Sequence, residues 1–199
     1  MSDFKRREML QILGTAPAMA ALTWNDAEAA AAAEQSQAAR QKAAATKQAF
    51  KPKFFTAHEY ATVGVLADII IPKDAKSGSA TDAGVPEFID YIINEQTERQ
   101  TAIRGGLTWL DTECRKRFDK AFLECAPEQR LQVVEDIAWP KKAKPEFSHG
   151  VRFFTSMRDL VAAGFFSSKV GVADLQYMGN VPHVWNGPPA DVLSKLGVS

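Results

Sequence analysis

The sequence predicts an all-α domain, a small irregular bundle of about five helices with an extended aromatic C-terminal tail. Apolar residues recur at steps of three and four along five segments after residue 53, which is the spacing of helices that bury one face. Capping residues or prolines stand where several of these segments begin, as at helix starts. No run alternates strictly between apolar and polar residues and no β-α-β pattern occurs, so no sheet is expected.

The first two predicted helices have clear start signals. Thr56 and Glu59 have the spacing of a capping box, and the helix that follows ends at Pro72. The second helix begins at Pro86, after a polar loop rich in turn residues. The predicted buried faces are Tyr60, Val63, Leu66, Ala67 and Ile70 in the first helix, and Phe88, Ile89, Ile92 and Ile93 in the second.

Three further helices complete the predicted bundle. Gly105-Gly106 weakens the start of the third helix, Pro127 begins the fourth, and Ser148 is the predicted N-cap of the fifth. The predicted buried faces are Ile103, Leu107, Leu110, Cys114 and Phe118; then Leu131, Val134 and Ile137; then Phe154, Met157, Val161 and Phe165. The tail after Gly171 mixes aromatic residues with Gly and Pro. It is expected to be an irregular segment that covers one end of the bundle, forms an interface, or does both.

The first 29 residues resemble an export signal. Lys5, Arg6 and Arg7 precede an apolar stretch over residues 9–22, and small residues follow near a candidate cleavage site. This order is that of a signal peptide, and the adjacent pair Arg6 and Arg7 resembles the twin-arginine signal, whose pathway carries folded proteins. The alternative is a basic amphipathic N-terminal helix without a role in export.

An alanine-rich segment follows over residues 30–53. Its residues favour helix, but Phe50 is its only large apolar side chain, so it has no stripe to bury against a core. We therefore expect a linker, or a helix that rests on a partner. The helical domain itself is predicted over residues 54–199.

The net charge and the cysteine content argue against two classes of protein, those that bind nucleic acid and those held by a disulfide scaffold. The 199 residues carry no net charge, which gives no support for nucleic-acid binding, normally marked by a basic face. Cys114 and Cys125 are too few for a disulfide scaffold. On one straight helix they would lie roughly 16 Å apart, so a disulfide between them requires a chain reversal. Pairing with each other, pairing with a partner chain in an oxidising compartment, and two buried free thiols are all open.

The chain has none of the motifs that usually mark a catalytic, cofactor or metal site. It lacks nucleotide-binding glycine motifs, a nucleophile elbow and C-x-x-C. The histidines His58, His149 and His183 do not have metal-binding spacing. Three aspartates lie in apolar helical contexts, Asp68, Asp90 and Asp111, and we expect salt bridges to Arg104, Arg152 or Arg158 rather than a two-metal site. No catalytic, cofactor or metal residue is therefore assigned, and a partner subunit is favoured.

A series of short motifs carries a family resemblance over residues 54–188. In order they are Ala67-Asp68, Ile71-Pro72, Gly84-Val85-Pro86, Ile89-Asp90, Gly106-Leu107, Leu110-Asp111, Phe153-Phe154, Gly164-Phe165 and Tyr177-Gly179. Together they resemble the gluconate 2-dehydrogenase subunit 3 family. The resemblance implies a small non-catalytic subunit whose large partner is similar to the glucose–methanol–choline oxidoreductases and holds FAD. It also implies that the small subunit carries the twin-arginine leader for both chains.

These implications set the expected partners and compartment. We expect the large subunit and the twin-arginine translocase as partners and a periplasmic location. Association with the membrane through the complex is left open, and a cytochrome c is one candidate electron acceptor. Family members often have a Cys after Trp-x-Gly, whereas Pro188 follows Trp185-Asn186-Gly187 here. The candidate interface residues are Trp109, Phe165, Phe166, Tyr177 and Trp185. The alternatives are a free-standing enzyme or metal-binding protein of the envelope, and a membrane-anchored scaffold with an uncleaved leader.

Overall fold

The computed structural model describes residues 26–46, 50–177 and 190–197. Over these ranges the chain forms nine α-helices, two short 3₁₀ turns and no strand, which confirms the all-α prediction and exceeds the expected number of about five helices. The helices are α1 (Asp26–Thr46), α2 (Ala57–Ile70), α3 (Ala80–Ala83), α4 (Val85–Glu95), α5 (Thr97–Phe118), α6 (Pro127–Ala138), α7 (Ser148–Phe166), α8 (Lys169–Asp174) and α9 (Ala190–Lys195). The 3₁₀ turns are Phe122–Glu124 and Pro145–Phe147.

The five predicted helices are α2, α4, α5, α6 and α7. The capping box at the start of α2 is present, because Glu59 N donates to Thr56 Oγ1 over 3.2 Å and Thr56 N donates to Glu59 Oε2 over 2.8 Å. Helix α5 is longer than expected and continues through Gly105 and Gly106 without a break. Its C-terminus is set by Asp119, which takes a left-handed conformation with φ 57°.

Helix α7 is the central element and contacts every helix from α1 to α6 as well as α8. It can do so because apolar and small residues surround much of its circumference, including Phe153, Met157, Leu160 and Phe165, all buried. A helix that is apolar on most sides is expected inside a bundle. Helix α5 lies especially close to α7 at Gly106. A Cβ at this position would collide with the ring of Phe153.

The alanine-rich segment packs on its own domain, contrary to the expectation that it would find no place there. Over residues 26–46 it forms α1, which contacts α4 and α7. Ala32, Ala33 and Ser36 are buried and lie on one helical face. Small side chains let the two backbones approach closely, so the helix docks without the large apolar stripe that we expected to be necessary. The domain boundaries after residues 29 and 53 stay a prediction.

Polar contacts hold the middle of α1 against the start of α4. Arg40 Nη1 donates to the carbonyl oxygen of Asp82 over 3.0 Å, and Arg40 Nε lies 3.5 Å from Glu87 Oε1. The Arg40 side chain crosses Gly84, where a Cβ would come within 2.6 Å of Arg40 Nη1. Gly84 also has φ 83°, a conformation that glycine adopts without strain.

Several local expectations are wrong. Leu131 is 45% exposed, and α6 buries Val133, Val134 and Ile137 instead. Ser148 is the first residue of α7 and not its cap, because the helix continues directly from the preceding 3₁₀ turn. Short helices α3 and α8 occur where a loop and an irregular tail were expected.

Some predictions fall on residues outside the described ranges. They are the export signal with Arg6 and Arg7, His183, and the interface residue Trp185. Within the ranges that are described, no helix combines the length and the apolar character needed to cross a bilayer.

Candidate functional site

Asp68 joins α2 to α3. Its two carboxylate oxygens accept hydrogen bonds from Thr81 N over 2.8 Å and from Thr81 Oγ1 over 2.7 Å. Both donors belong to the first turn of α3, so the carboxylate also satisfies a free N–H at a helix start. The position therefore fixes the loop between the two helices.

Asp90 on α4 receives three consecutive backbone N–H groups. Its Oδ2 accepts from Lys53 over 2.8 Å, and its Oδ1 accepts from Phe54 and Phe55 over 3.0 Å each. Asp90 is only 1% exposed, so its charge is balanced mainly by these donors. The carboxylate therefore holds the segment that leads into α2 against helix α4.

Asp111 on α5 holds the 3₁₀ turn that follows that helix. Its Oδ1 accepts from Phe122 N over 2.9 Å, and its Oδ2 lies 2.7 Å from His58 Nε2. Arg115 lies further away, at 3.8 Å from the same oxygen. Asp111 thus connects α5, the 3₁₀ turn and the first turn of α2, and the exposed side chain of His58 takes part in this connection.

The predicted salt bridges of these aspartates to Arg104, Arg152 or Arg158 are wrong, because backbone N–H groups take most of the carboxylate oxygens. Arg104 pairs with Glu59 over 3.3 Å and Arg158 pairs with Asp159 over 2.8 Å. Arg152 donates to His149 Nδ1 over 3.0 Å. Over the described residues no cluster of three or more His, Cys, Asp or Glu side chains is arranged to bind a metal.

Cys114 and Cys125 are both buried and both free. The chain reversal that their proximity requires is present: α5 ends at Phe118, Asp119 caps it, and the turn Phe122–Glu124 returns the chain to α5. Burial, followed by the neighbouring thiol of Cys125, raises the pKa of Cys114 to about 12. A thiol held protonated in this way is a poor nucleophile. A disulfide between the two residues stays a prediction.

The four predicted interface residues that the structure describes do not form one surface. Phe165 is completely buried and belongs to the core, because its ring faces inward from α7, so its assignment to an interface is corrected. Phe166 is half-buried and packs edge-on against it, with ring centroids 5.2 Å apart, and Tyr177 is 65% exposed. Trp109, on α5, is half-buried and packs against Phe147, just before the first residue of α7. Phe165 and Phe166 are at the other end of α7, which is about 27 Å long.

A groove of about 600 Å³ lies beside Trp109, between α5 and the first half of α7. Its walls include Ala102, Gly105 and Trp109 from α5, and His149, Arg152 and Phe153 from α7. No role in such a site was predicted for Gly105, His149 or Arg152. The available signals were the Gly105-Gly106 pair and the i, i+3 spacing of His149 and Arg152, which places both side chains on one helical face.

Comparison with known proteins identifies a family. The model of a protein family described as gluconate 2-dehydrogenase subunit 3 matches residues 57–187. The match includes the three inward aspartates, helices α2 to α8 and the groove. No curated protein and no solved structure matches the chain significantly.

Proposed function

The chain belongs to the gluconate 2-dehydrogenase subunit 3 family, and we propose that it is the non-catalytic accessory subunit of a periplasmic, FAD-dependent sugar dehydrogenase. In this proposal the large subunit binds FAD and the sugar or sugar acid, and this chain stabilises it. The partner resembles the glucose–methanol–choline oxidoreductases. The present chain contributes no catalytic, cofactor-binding or metal-binding residue.

The use of the inward carboxylates is the main support for a non-catalytic role. A carboxyl group that acts as a general acid or base must be free to exchange a proton with a substrate. Asp68, Asp90 and Asp111 instead hold backbone N–H groups of three connections. The nearby thiol of Cys114 is kept protonated by burial. These side chains are already engaged in holding the bundle together, as expected for a subunit whose work is binding.

The described part of the chain also lacks the kind of fold that usually holds a dinucleotide cofactor such as FAD. Dinucleotide cofactors are usually held where a glycine-rich turn joins a strand to a helix, and residues 26–46, 50–177 and 190–197 contain no strand. The proposal therefore places FAD on the partner.

Export is the second part of the proposal. Arg6 and Arg7 in a basic, then apolar leader are typical of a pathway that accepts folded cargo. A chain with such a leader can carry a tightly bound second chain, because the complex can form before export. We propose that the accessory subunit takes the flavoprotein into the periplasm in this way.

Co-expression of this chain with the flavin-binding large subunit tests both parts. We expect dye-linked sugar oxidation in the periplasm only when both chains are present. Changing Arg6→Lys and Arg7→Lys together should leave the active complex in the cytoplasm. Periplasmic activity that persists in this double variant would contradict the export role, and turnover of a sugar by the purified accessory chain alone would contradict the non-catalytic role.

A further inference from the structure

The groove between α5 and α7 is an open feature on an otherwise closely packed contact. Ala102, Gly105 and Gly106 put little or no side chain on the α5 side. Apart from its chain neighbours and the backbone of its own helix, no heavy atom of the described residues lies within 4 Å of a Cβ placed on Gly105. Trp109 and Phe153 supply aromatic surface beside this gap. With about 600 Å³, the groove has the size range of pockets that accept a ligand or a few side chains.

A pair of hydrogen-bond donors lies on the α7 side of the groove. Arg152 has no acceptor lone pair, so its Nη2 donates to His149 Nδ1 over 3.0 Å. The neutral imidazole then carries its hydrogen on Nε2. Both side chains therefore have N–H groups left to donate, and Arg152 retains a full positive charge.

No carboxylate of the described residues balances this charge locally. The groove lining contains neither Asp nor Glu, and over the described residues no carboxylate forms an ion pair with Arg152. Lys144 lies near this end of the groove, over the ring of Phe147, which packs against Trp109. A fixed guanidinium beside a second N–H donor is suited to a carboxylate.

We propose that this groove receives an acidic segment of the catalytic subunit, with a carboxylate on Arg152 and His149 and an apolar side chain against Trp109 and Phe153. The inference rests on the proposed function, since it assigns the surface by which the accessory subunit holds its partner. One groove is too small for the 1,200–2,000 Å² that a stable complex usually buries. It acts as an anchor, as buried aromatic and arginine contacts commonly do within larger interfaces.

Two variants test the groove by different means. Arg152→Glu reverses the charge, and Gly105→Leu fills the gap from the opposite wall. Both should weaken binding of the purified catalytic subunit at least about tenfold, the loss expected for a charge-assisted hydrogen bond or a blocked pocket. Lys120→Glu is the matched control, because Lys120 is exposed outside the groove and the change in charge is the same. It should bind like wild type.

Thermal unfolding of the isolated chain separates docking from folding. Gly105→Leu should raise Tm by about 2–4 °C, because leucine favours a helix more than glycine does and the site is open. A variant that is more stable and yet binds the partner less well cannot be explained by misfolding. Equal binding by wild type, Arg152→Glu and Gly105→Leu in an active complex would overturn the groove assignment and leave the proposed function intact.

Hydrogen exchange distinguishes the occupant. Binding of the catalytic subunit should slow amide exchange in residues 102–109 and 149–156 of the wild-type chain. If these amides are already protected in the lone chain, and removal of residues 178–199 exposes them, the occupant is the chain's own tail and the inference is wrong. If the wild-type chain fails to bind the catalytic subunit at all, the proposed function fails, and this inference fails with it.

Discussion

Asp68, Asp90 and Asp111 each place a carboxylate where a connection must be held against a helix. All three accept from backbone N–H groups rather than from arginine side chains. A carboxylate is suited to this because its two oxygens can accept several N–H bonds at once, and ionised acceptors form stronger bonds than neutral ones. These three positions belong to the pattern by which the family was identified, so part of that pattern reflects folding requirements.

Replacing Asp90→Asn should destabilise the chain by about 2–4 kcal/mol. The amide keeps one acceptor oxygen, and its NH₂ group must then face the N–H of Lys53 or those of Phe54 and Phe55, so at least one buried donor loses its partner. Thermal or urea unfolding of the purified chain, followed by circular dichroism, measures the loss. Asp191→Asn on α9 is the control, because Asp191 is exposed and its change should cost no more than about 0.5 kcal/mol. Equal stabilities for the two variants would show that the Asp90 bonds are not important.

At the scale of the elements, α5 contains two adjacent glycines with opposite roles. Gly106 faces α7, where a Cβ would collide with Phe153, whereas the Cβ position of Gly105 is open. Successive residues of a helix point about 100° apart, so one glycine lies in the contact and the other on the groove. This pair offers an internal control for packing between the two helices.

Gly106→Ala should destabilise the chain by about 1–3 kcal/mol, because the new methyl group overpacks the contact between α5 and α7. Gly105→Ala should stabilise it by about 0.5–1 kcal/mol, because alanine favours helix and nothing opposes its side chain. Urea unfolding measures both effects. The midpoints are compared for variants in which the free energy of unfolding depends on urea concentration with the same slope as in wild type. Changes of the same sign in the two variants would contradict the arrangement of α5 on α7.

The same reasoning applies to α1, which is held by small side chains and by Arg40. Ala32→Leu introduces a large side chain at a completely buried position and should detach α1 from α4. Ala31→Leu, at an exposed neighbouring position, should have no such effect. We expect faster hydrogen exchange over residues 26–46 in the first variant only, with little change in the core, because a peripheral helix can open locally. Protection of α1 in both variants would contradict its docking.

At the scale of the whole molecule, the buried core should make stability depend on alkaline pH. Burial raises the pKa of Cys114 to about 12 and also raises that of Tyr60, to which Glu87 contributes. Both groups are neutral when protonated, so folding favours their protonated forms. Their ordinary pKa values are 9.0 and 10.0. Above these values the unfolded chain releases protons that the folded chain keeps, and the free energy of unfolding falls.

Urea unfolding under reducing conditions at pH 8, 10 and 11 measures this loss. The free energy of unfolding should be greatest below pH 9 and should decline as the pH rises, by at most about 1.4 kcal/mol per pH unit for each group. Cys114→Ala and Tyr60→Phe should each make the decline shallower than in wild type. A decline of unchanged steepness in both variants would assign the effect to other groups.

Much of the bundle could be predicted from local signals. The spacing of apolar residues and the capping box at Thr56 located α2, and the prolines Pro86 and Pro127 lie in the first turns of α4 and α6. These signals work because a helix start depends on residues within one turn, and a buried face depends on a period of 3.6 residues. The order of short motifs was also sufficient to identify the family, which the match over residues 57–187 confirms.

The tertiary structure decided what each of these faces meets. Periodicity places Asp90 and Phe165 on particular sides of their helices, but the backbone donors of Asp90 are more than thirty residues away in the chain. Helix α1 docks through alanines that a hydrophobic pattern does not distinguish from a solvated helix, and the groove exists only because Gly105 and Arg152 come together across two helices. A sequence specifies local conformation through neighbouring residues. Hydrogen-bond partners, burial and cavities depend instead on contacts between distant segments, which form only when the helices pack together.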